Sequence, residues 1–198
     1  MNYIREYLSE ASRVITLLDK EAIERMVTLL GEVRQKGGRV FFLGVGGSAA
    51  NCSHAVNDLR KIAGIESYTP SDNVYELTAR TNDDGWESVF VEWLKGSKIS
   101  PEDAIFILSV GGGNLEKRMS VNLIRAIDYA AEVGTKILGI VGRDGGYTAT
   151  RANVSIIVPT VNLNTITPHT ESFQSLILHL IVSHPGLKAS EMKWESIK

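Results

Sequence analysis

His54 and Asp58 stand four residues apart, and Glu171 and His179 stand eight apart. On a helix, a spacing of four puts both side chains on one face. A spacing of eight is about two turns with some 80° of rotation. Two imidazoles and two carboxylates are the ligand types of zinc or a similar divalent metal. The same groups can carry protons. Plainer readings stand beside these. A His–Asp pair on a helix often just faces solvent. His179 lies in an apolar string, Leu176-Ile177-Leu178-His179-Leu180-Ile181, where a hydrogen-bonded core histidine is the alternative. His169 and His184 read as exposed or capping residues. His169 falls in a helix's first turn, within reach of a ligand.

Glycine-rich loops supply the second chemical signal. Gly44-Val45-Gly46-Gly47-Ser48 follows an apolar run and leads straight into a helix. Glycine lets backbone approach a ligand closely, and a helix N-terminus presents free N–H groups at a positive dipole end. Ser48 adds a hydroxyl. Ser109-Val110-Gly111-Gly112-Gly113-Asn114 repeats the arrangement, and Gly142-Arg143-Asp144-Gly145-Gly146 is a third cluster. One such loop is as often a tight turn as a ligand site. Two together point to a phosphate or sugar phosphate. No G-x-G-x-x-G opens a helix and no G-K-[ST] follows, which argues against NAD and ATP.

These residues need elements to position them. Residues 2–18 place Ile4, Leu8, Ala11, Ile15 and Leu18 at helical spacing, and residues 20–36 repeat the pattern up to Gly37-Gly38. Two leading amphipathic helices need a cover, either a partner chain or the sheet itself. Short apolar runs predict strands at 39–43, 104–108, 136–141 and 154–158. Helices are expected at 49–63, 120–133 and 168–183, the last opened by Pro168 in its first turn. Apolar strands separated by helices imply a parallel sheet covered on both faces. The expected fold is α/β: a three-layer αβα, doubly wound sandwich behind an N-terminal helical hairpin. In such sheets ligands bind at the carboxyl ends of the strands, where the glycine clusters fall.

The 198 residues carry 21 Lys+Arg against 23 Asp+Glu, a net charge of -2. That balance gives no support to a nucleic-acid binder relying on a strong basic bias. The length suits one domain over 1–198 with residues 1–37 as oligomerising helices. The lone cysteine, Cys52, rules out an intramolecular disulfide and fits a reducing compartment. The first residues carry charges where a signal peptide has an apolar core, and no apolar string approaches the ~20 residues of a membrane span. A cytoplasmic protein without membrane contact is expected.

Taken together, these motifs resemble the sugar isomerase (SIS) domain family, and within it the phosphoheptose isomerases, over nearly the whole chain. The family's G-N-G-G-S followed by a helical H-x-x-x-E is similar to Gly44–Ser48 with His54 and Asp58. Its N-D before a G-aromatic resembles Asn82-Asp83 before Gly85-Trp86. Its S-T-S-G-N-S phosphate loop corresponds to Ser109–Asn114, and its G-x-D-G-G to Gly142–Gly146. Gln and His eight apart in its last helix align with Glu171 and His179. The resemblance implies conversion of sedoheptulose 7-phosphate to an aldoheptose 7-phosphate by proton transfer through an enediol. It implies a zinc-type ion on His54, Asp58, Glu171 and His179, with Asp58 and His179 as the catalytic pair. Substrate would lie on Val45, Gly46, Gly47, Ser48, Asn82, Asp83, Ser109, Val110, Gly111, Gly112, Asn114 and Glu171. A homotetramer with sites built between subunits is implied as well. The alternatives are a SIS protein that binds a sugar phosphate or bridges partners without turnover, and an isomerase for another phosphosugar.

Several positions depart from the family pattern. Val45 replaces an asparagine, Asp58 is one methylene shorter than glutamate, and Glu171 adds a charge where glutamine is expected. The loop at 109–114 lacks the two middle hydroxyls. Residues 115–119 (LEKRM) look like a small insertion that brings Lys117 and Arg118 near that loop, where they read as a solvated patch.

Overall fold

The computed structural model describes residues 2–197. Helices α1 (Tyr3–Leu17) and α2 (Lys20–Gln35) lead, joined by Asp19, whose side chain accepts the Ala22 N–H and caps α2. Then follow β1 (Val40–Gly44), α3 (Gly47–Asp58), β2 (Ser67–Tyr68), α4 (Val74–Asp84) and α5 (Val89–Gly96). The second half holds β3 (Ala104–Ser109), α6 (Val121–Val133), β4 (Lys136–Val141), α7 (Gly146–Arg151), β5 (Val154–Ile157), α8 (Ile166–Ser183) and the short α9 (Lys193–Ser196). A π turn, Leu59–Ala63, continues α3 without a break. The helix expected over 49–63 is therefore an α-helix that widens after Asp58.

The sheet is wholly parallel in the order β2-β1-β3-β4-β5. Strand order reverses between β1 and β3, and the crevice above that switch point is where an open α/β sheet receives ligand. The loops at 44–48 and 109–114 both start there.

Alternation along the strands divides the core. Phe42, Phe106, Leu108, Leu138 and Ile140 face α2, α3 and α8. Phe41, Leu43, Ile105, Ile107 and Ile137 face α5 and α6. Both faces are buried, so the strands read as continuous apolar runs rather than alternating ones. The fifth strand, β2, and helices α4 and α5 lie where the sequence reading assigns no element. β2 has two residues, and α4 buries none of its side chains, so neither leaves a periodic trace.

Of the two leading helices, only the second takes the sheet as its cover. α2 lies on the sheet and buries Ile23, Met26, Val27, Leu30 and Val33. α1 buries only Val14 and leaves Ile4, Leu8 and Ile15 exposed.

Arg39 and Asp103 tie the amino ends of the two central strands. The Arg39 backbone N–H and guanidinium both donate to the Asp103 carboxylate, at 2.8 Å from N and from Nη2, and Ser100 N–H adds a further bond at 2.8 Å. Burial alone would raise the Asp103 carboxyl, but these donors outweigh it and hold it below the usual range. A lowered carboxyl contributes stability at pH values above its unfolded pKa, and that contribution is lost as pH falls through the folded value. Chemical denaturation should therefore show stability declining below pH ~3.9. Asp103→Asn should remove that part of the decline and cost about 3 kcal/mol at neutral pH by leaving Arg39 unpaired.

Candidate active site

α3 and α8 pack side by side, and their exposed edges bring three of the singled-out residues together. His54 and Asp58 share one face of α3, with His54 Nε2 3.1 Å from Asp58 Oδ2. His179 reaches across from α8, its Nε2 3.6 Å from Asp58 Oδ2 and 3.2 Å from His54 Nε2. The imidazoles are half exposed, whereas Asp58 retains 9% of its surface and accepts the Asn57 amide at 3.0 Å. His179 is thus not a core histidine. It leaves the apolar string of α8 on the outer side.

The cluster opens into a cleft of about 470 Å³ whose walls include Lys61, Ile62, Leu180, Met192 and Lys193. The π turn helps to build this cleft. Its Ile62 carbonyl, in the last turn of the helix, accepts the N–H groups of Ala189 and Ser190 and so fastens the C-terminal segment alongside. Single π turns inside α-helices are frequent at functional sites. Arg34 of α2 supports the same corner, donating to the carbonyls of Ala63 and Leu187.

A buried polar clip sets the distance between α3 and α8. Gln174 is fully buried, and its Oε1 accepts Ser48 Oγ at 3.0 Å and Asn51 Nδ2 at 3.1 Å. Asn51 Nδ2 also donates to the Glu171 carbonyl at 2.9 Å. The sequence reading did not single out Gln174 or Asn51. A glutamine three residues past Glu171 in an apolar helix was the available signal.

Ser48 differs from its expected role. It is 2% exposed and its hydroxyl is spent on Gln174, not presented to a ligand. Glu171 stands apart from the metal-type cluster. Eight residues are about 12 Å along a helix, and its carboxylate lies instead against Gly47, where any Cβ would overlap it. That position is the positive end of α3, which favours a carboxylate. Gly46, at φ 63°, makes the turn into α3, and Val45 is partly exposed beside it.

The second glycine loop is knitted to the third. Gly112 O accepts the Thr148 N–H and hydroxyl, and Gly113 O accepts the Tyr147 N–H. A Cβ at Gly112 would collide with the Gly145 carbonyl, which is why only glycine serves there. Ser109 Oγ accepts the Gly112 N–H, and Val110 is partly buried beside Gly111. Asn114 pairs with Met119, and its Oδ1 caps the turn at Lys117 N–H, so residues 115–118 form a closed hairpin turn. Asn82 and Asp83 end α4 on the surface, bonded to each other, and line neither the cleft nor the cavity at the second loop.

His169 also departs from expectation. It is 4% exposed and bonded to Glu10 of α1 at 2.9 Å, with Tyr7 stacked on its ring. Asn162, His169 and Thr165 together hold the Glu10 carboxyl below its usual range. His184 does act as a cap, its Nδ1 accepting the Gly186 N–H just beyond α8.

The cluster's donor set fits a zinc-type ion. Donors about 2.0–2.1 Å from one tetrahedral centre stand roughly 3.3–3.4 Å apart, and the observed separations of 3.1, 3.2 and 3.6 Å bracket that figure. Three protein ligands with one open position is the catalytic pattern rather than the structural one.

Comparison with known proteins gives this geometry its context. The SIS domain family profile matches residues 2–142. The chain belongs to the SIS domain family. Among SIS relatives, a phosphoheptose isomerase of Syntrophotalea carbinolica is 30% identical over 187 residues, covering 89% of each chain. The lincomycin biosynthesis protein LmbN of Streptomyces lincolnensis is 30% identical over 195 residues, covering 93% of this chain and 69% of the relative. The phosphoheptose isomerase GmhA of Neisseria gonorrhoeae superposes with a TM-score of 0.79 at 22% identity, covering 91% of this chain and 96% of that one. The doubly wound α/β fold expected from the apolar strands and intervening helices, and the SIS fold that the resemblance implied, are what is observed.

Gln174→Leu tests the clip. It leaves the buried Ser48 hydroxyl without its acceptor and should cost about 1–3 kcal/mol, read as a lower urea midpoint with an unchanged slope. An unchanged midpoint would remove the clip from the account of how α8 is held.

Proposed function

We propose that this protein is a phosphosugar aldose–ketose isomerase of the phosphoheptose isomerase type. The substrate read here is sedoheptulose 7-phosphate, converted to D-glycero-D-manno-heptose 7-phosphate. The observation that carries the reading is the meeting of Asp58, His54 and His179 at one cleft on a SIS scaffold.

The chemistry follows from those side chains. Asp58, nearly buried and within reach of two imidazoles, removes a proton from the hydroxyl-bearing carbon next to the ketone. His179 supplies a proton to the ketone oxygen, which completes an enediol. The hydroxyl of the first carbon then loses its proton while the former ketone carbon gains one, and the aldose results. General acid–base catalysis of this kind contributes about 10²–10⁴-fold. A zinc-type ion held by His54, Asp58 and His179 supplies polarisation of the substrate carbonyl when bound.

Assembly belongs to the same reading. The acid–base cleft and the cavity at the second glycine loop share no lining residue. We take the working form to be a homotetramer in which another copy supplies what one chain keeps apart. The exposed Ile4, Leu8 and Ile15 of α1 offer an apolar contact for it. The buried, unpaired Cys52 suits a cytoplasmic setting, and among the described residues no helix is long and apolar enough to cross a membrane. The separation of cleft and cavity also favours a second reading, binding of a sugar phosphate without turnover.

Incubation with sedoheptulose 7-phosphate in heavy water, followed by NMR, separates the two. Isomerisation predicts aldose signals together with deuterium at the carbon next to the carbonyl. Binding alone predicts neither. Asp58→Asn should abolish turnover with little change in melting temperature. Adding zinc to chelated protein should raise the melting temperature by roughly 5–10 °C at a hundredfold excess over its dissociation constant. His54→Ala should remove that rise, and a rise that survives would place the ion elsewhere.

A further inference from the structure

The first turn of α8 is a junction, where three consecutive residues touch three different elements. His169 bonds to Glu10 of α1 at 2.9 Å. Thr170 is 2% exposed and lies against Gly142, where any Cβ would meet its hydroxyl. Glu171 lies against Gly47 at the start of α3. The placement of α8 is therefore set at its amino end as well as at Gln174.

Glu10 holds the α1 side of that junction. Its Oε1 accepts Asn162 Nδ2 at 2.6 Å, in the segment leading to α8, and its Oε2 accepts Thr165 Oγ1 at 2.8 Å and His169 Nε2. Thr165 is the N-cap residue of α8, yet its hydroxyl makes no capping bond to its own helix. The hydroxyl is drawn to Glu10 instead, and the carboxylate sets a negative charge beside the positive end of α8. Tyr7 stacks on the His169 ring with centroids 4.3 Å apart, and Phe173 flanks the same ring. The side chains of His169 and Glu10 keep only 5% and 15% of their surface, so water competes little for these bonds. The rest of α1 has a weak hold. Val14 is its one buried side chain, with Ala11 half-buried against the core.

We propose that Glu10 is a positioning residue for the acid–base cluster: it locks the first turn of α8 to α1 and so fixes where His179 stands relative to His54 and Asp58. α8 runs unbroken from Ile166 to Ser183. His169 and His179 stand five residues on either side of Gln174, the buried clip to α3. A displacement of the first turn about that pivot is mirrored at His179 with similar size. Removing Glu10 leaves three donors without their acceptor, and they move to find others.

Full-length protein labelled with ¹³C at histidine Cε1 reports the imidazoles by NMR without metal or substrate. Glu10→Ala should shift the signals of His54 and His179 as well as that of His169. Glu10→Gln keeps the length and one acceptor, and should shift them in the same direction by less; it serves where the alanine variant does not fold. Asp103→Asn destabilises the far end of the sheet and should leave the His54 and His179 signals in place, which separates positioning from lost stability. Movement of His169 alone in the Glu10 variants, or equal movement in Asp103→Asn, would overturn the proposal. The effect on turnover rests on the isomerase reading above: kcat for sedoheptulose 7-phosphate should fall about tenfold or more in Glu10→Ala, with KM little changed. An unchanged kcat in that variant would overturn the positioning role. A wild type without turnover whose His179 signal still follows Glu10 would sink the isomerase reading and leave the positioning standing.

Discussion

The contact between α3 and α8 is the constraint on which the site depends. It is made by apolar side chains and closed by one buried amide. Gln174 satisfies Ser48 and Asn51 at once, and a buried amide is tolerated only when its hydrogen bonds are met. The clip fixes the separation and rotation of the two helices. His179, five residues further along α8, then falls opposite His54 and Asp58. A small rotation of α8 would carry it out of reach, and proton transfer is sensitive to displacements of about 1 Å.

Below the helices, the parallel sheet sets the position of everything else. Its switch point between β1 and β3 sends two glycine loops to one end of the molecule. The Arg39–Asp103 pair fastens the opposite end, so the strands hold register where no chemistry takes place. The site then divides labour by charge. The α3–α8 edge gathers a carboxylate and two imidazoles. The first loop takes Glu171 onto its helix dipole. Lys117 and Arg143 line one cavity with the second loop.

Much of this was legible in the sequence because the signals were local. Strand β4 falls on the expected 136–141, and the leading, sixth and eighth helices fall within two residues of the expected ends. Their apolar periods are long, and the stops of α2, α6 and α8 are marked by glycine or proline. The pairing of His54 with Asp58 follows from helical spacing alone. What spacing could not supply was the partner of each buried polar group. His169 bonds to Glu10, 159 positions away, and Ser48 to Gln174, 126 positions away. Nothing local to His169 separates a first-turn ligand from a buried clamp.

The sequence by itself determined the layers, the parallel sheet and the glycine loops at its carboxyl edge. Each depends on residue type repeated at short range, where backbone geometry leaves few alternatives. Only the tertiary structure decided which helices touch and which side chains face each other across them. It brought His179 to Asp58, sent Glu171 to Gly47, buried His169 under α1 and put Arg143 and Lys117 on the walls of one cavity. Those outcomes depend on helix rotation and on the matching of buried donors with acceptors far apart in the chain, which no local spacing encodes.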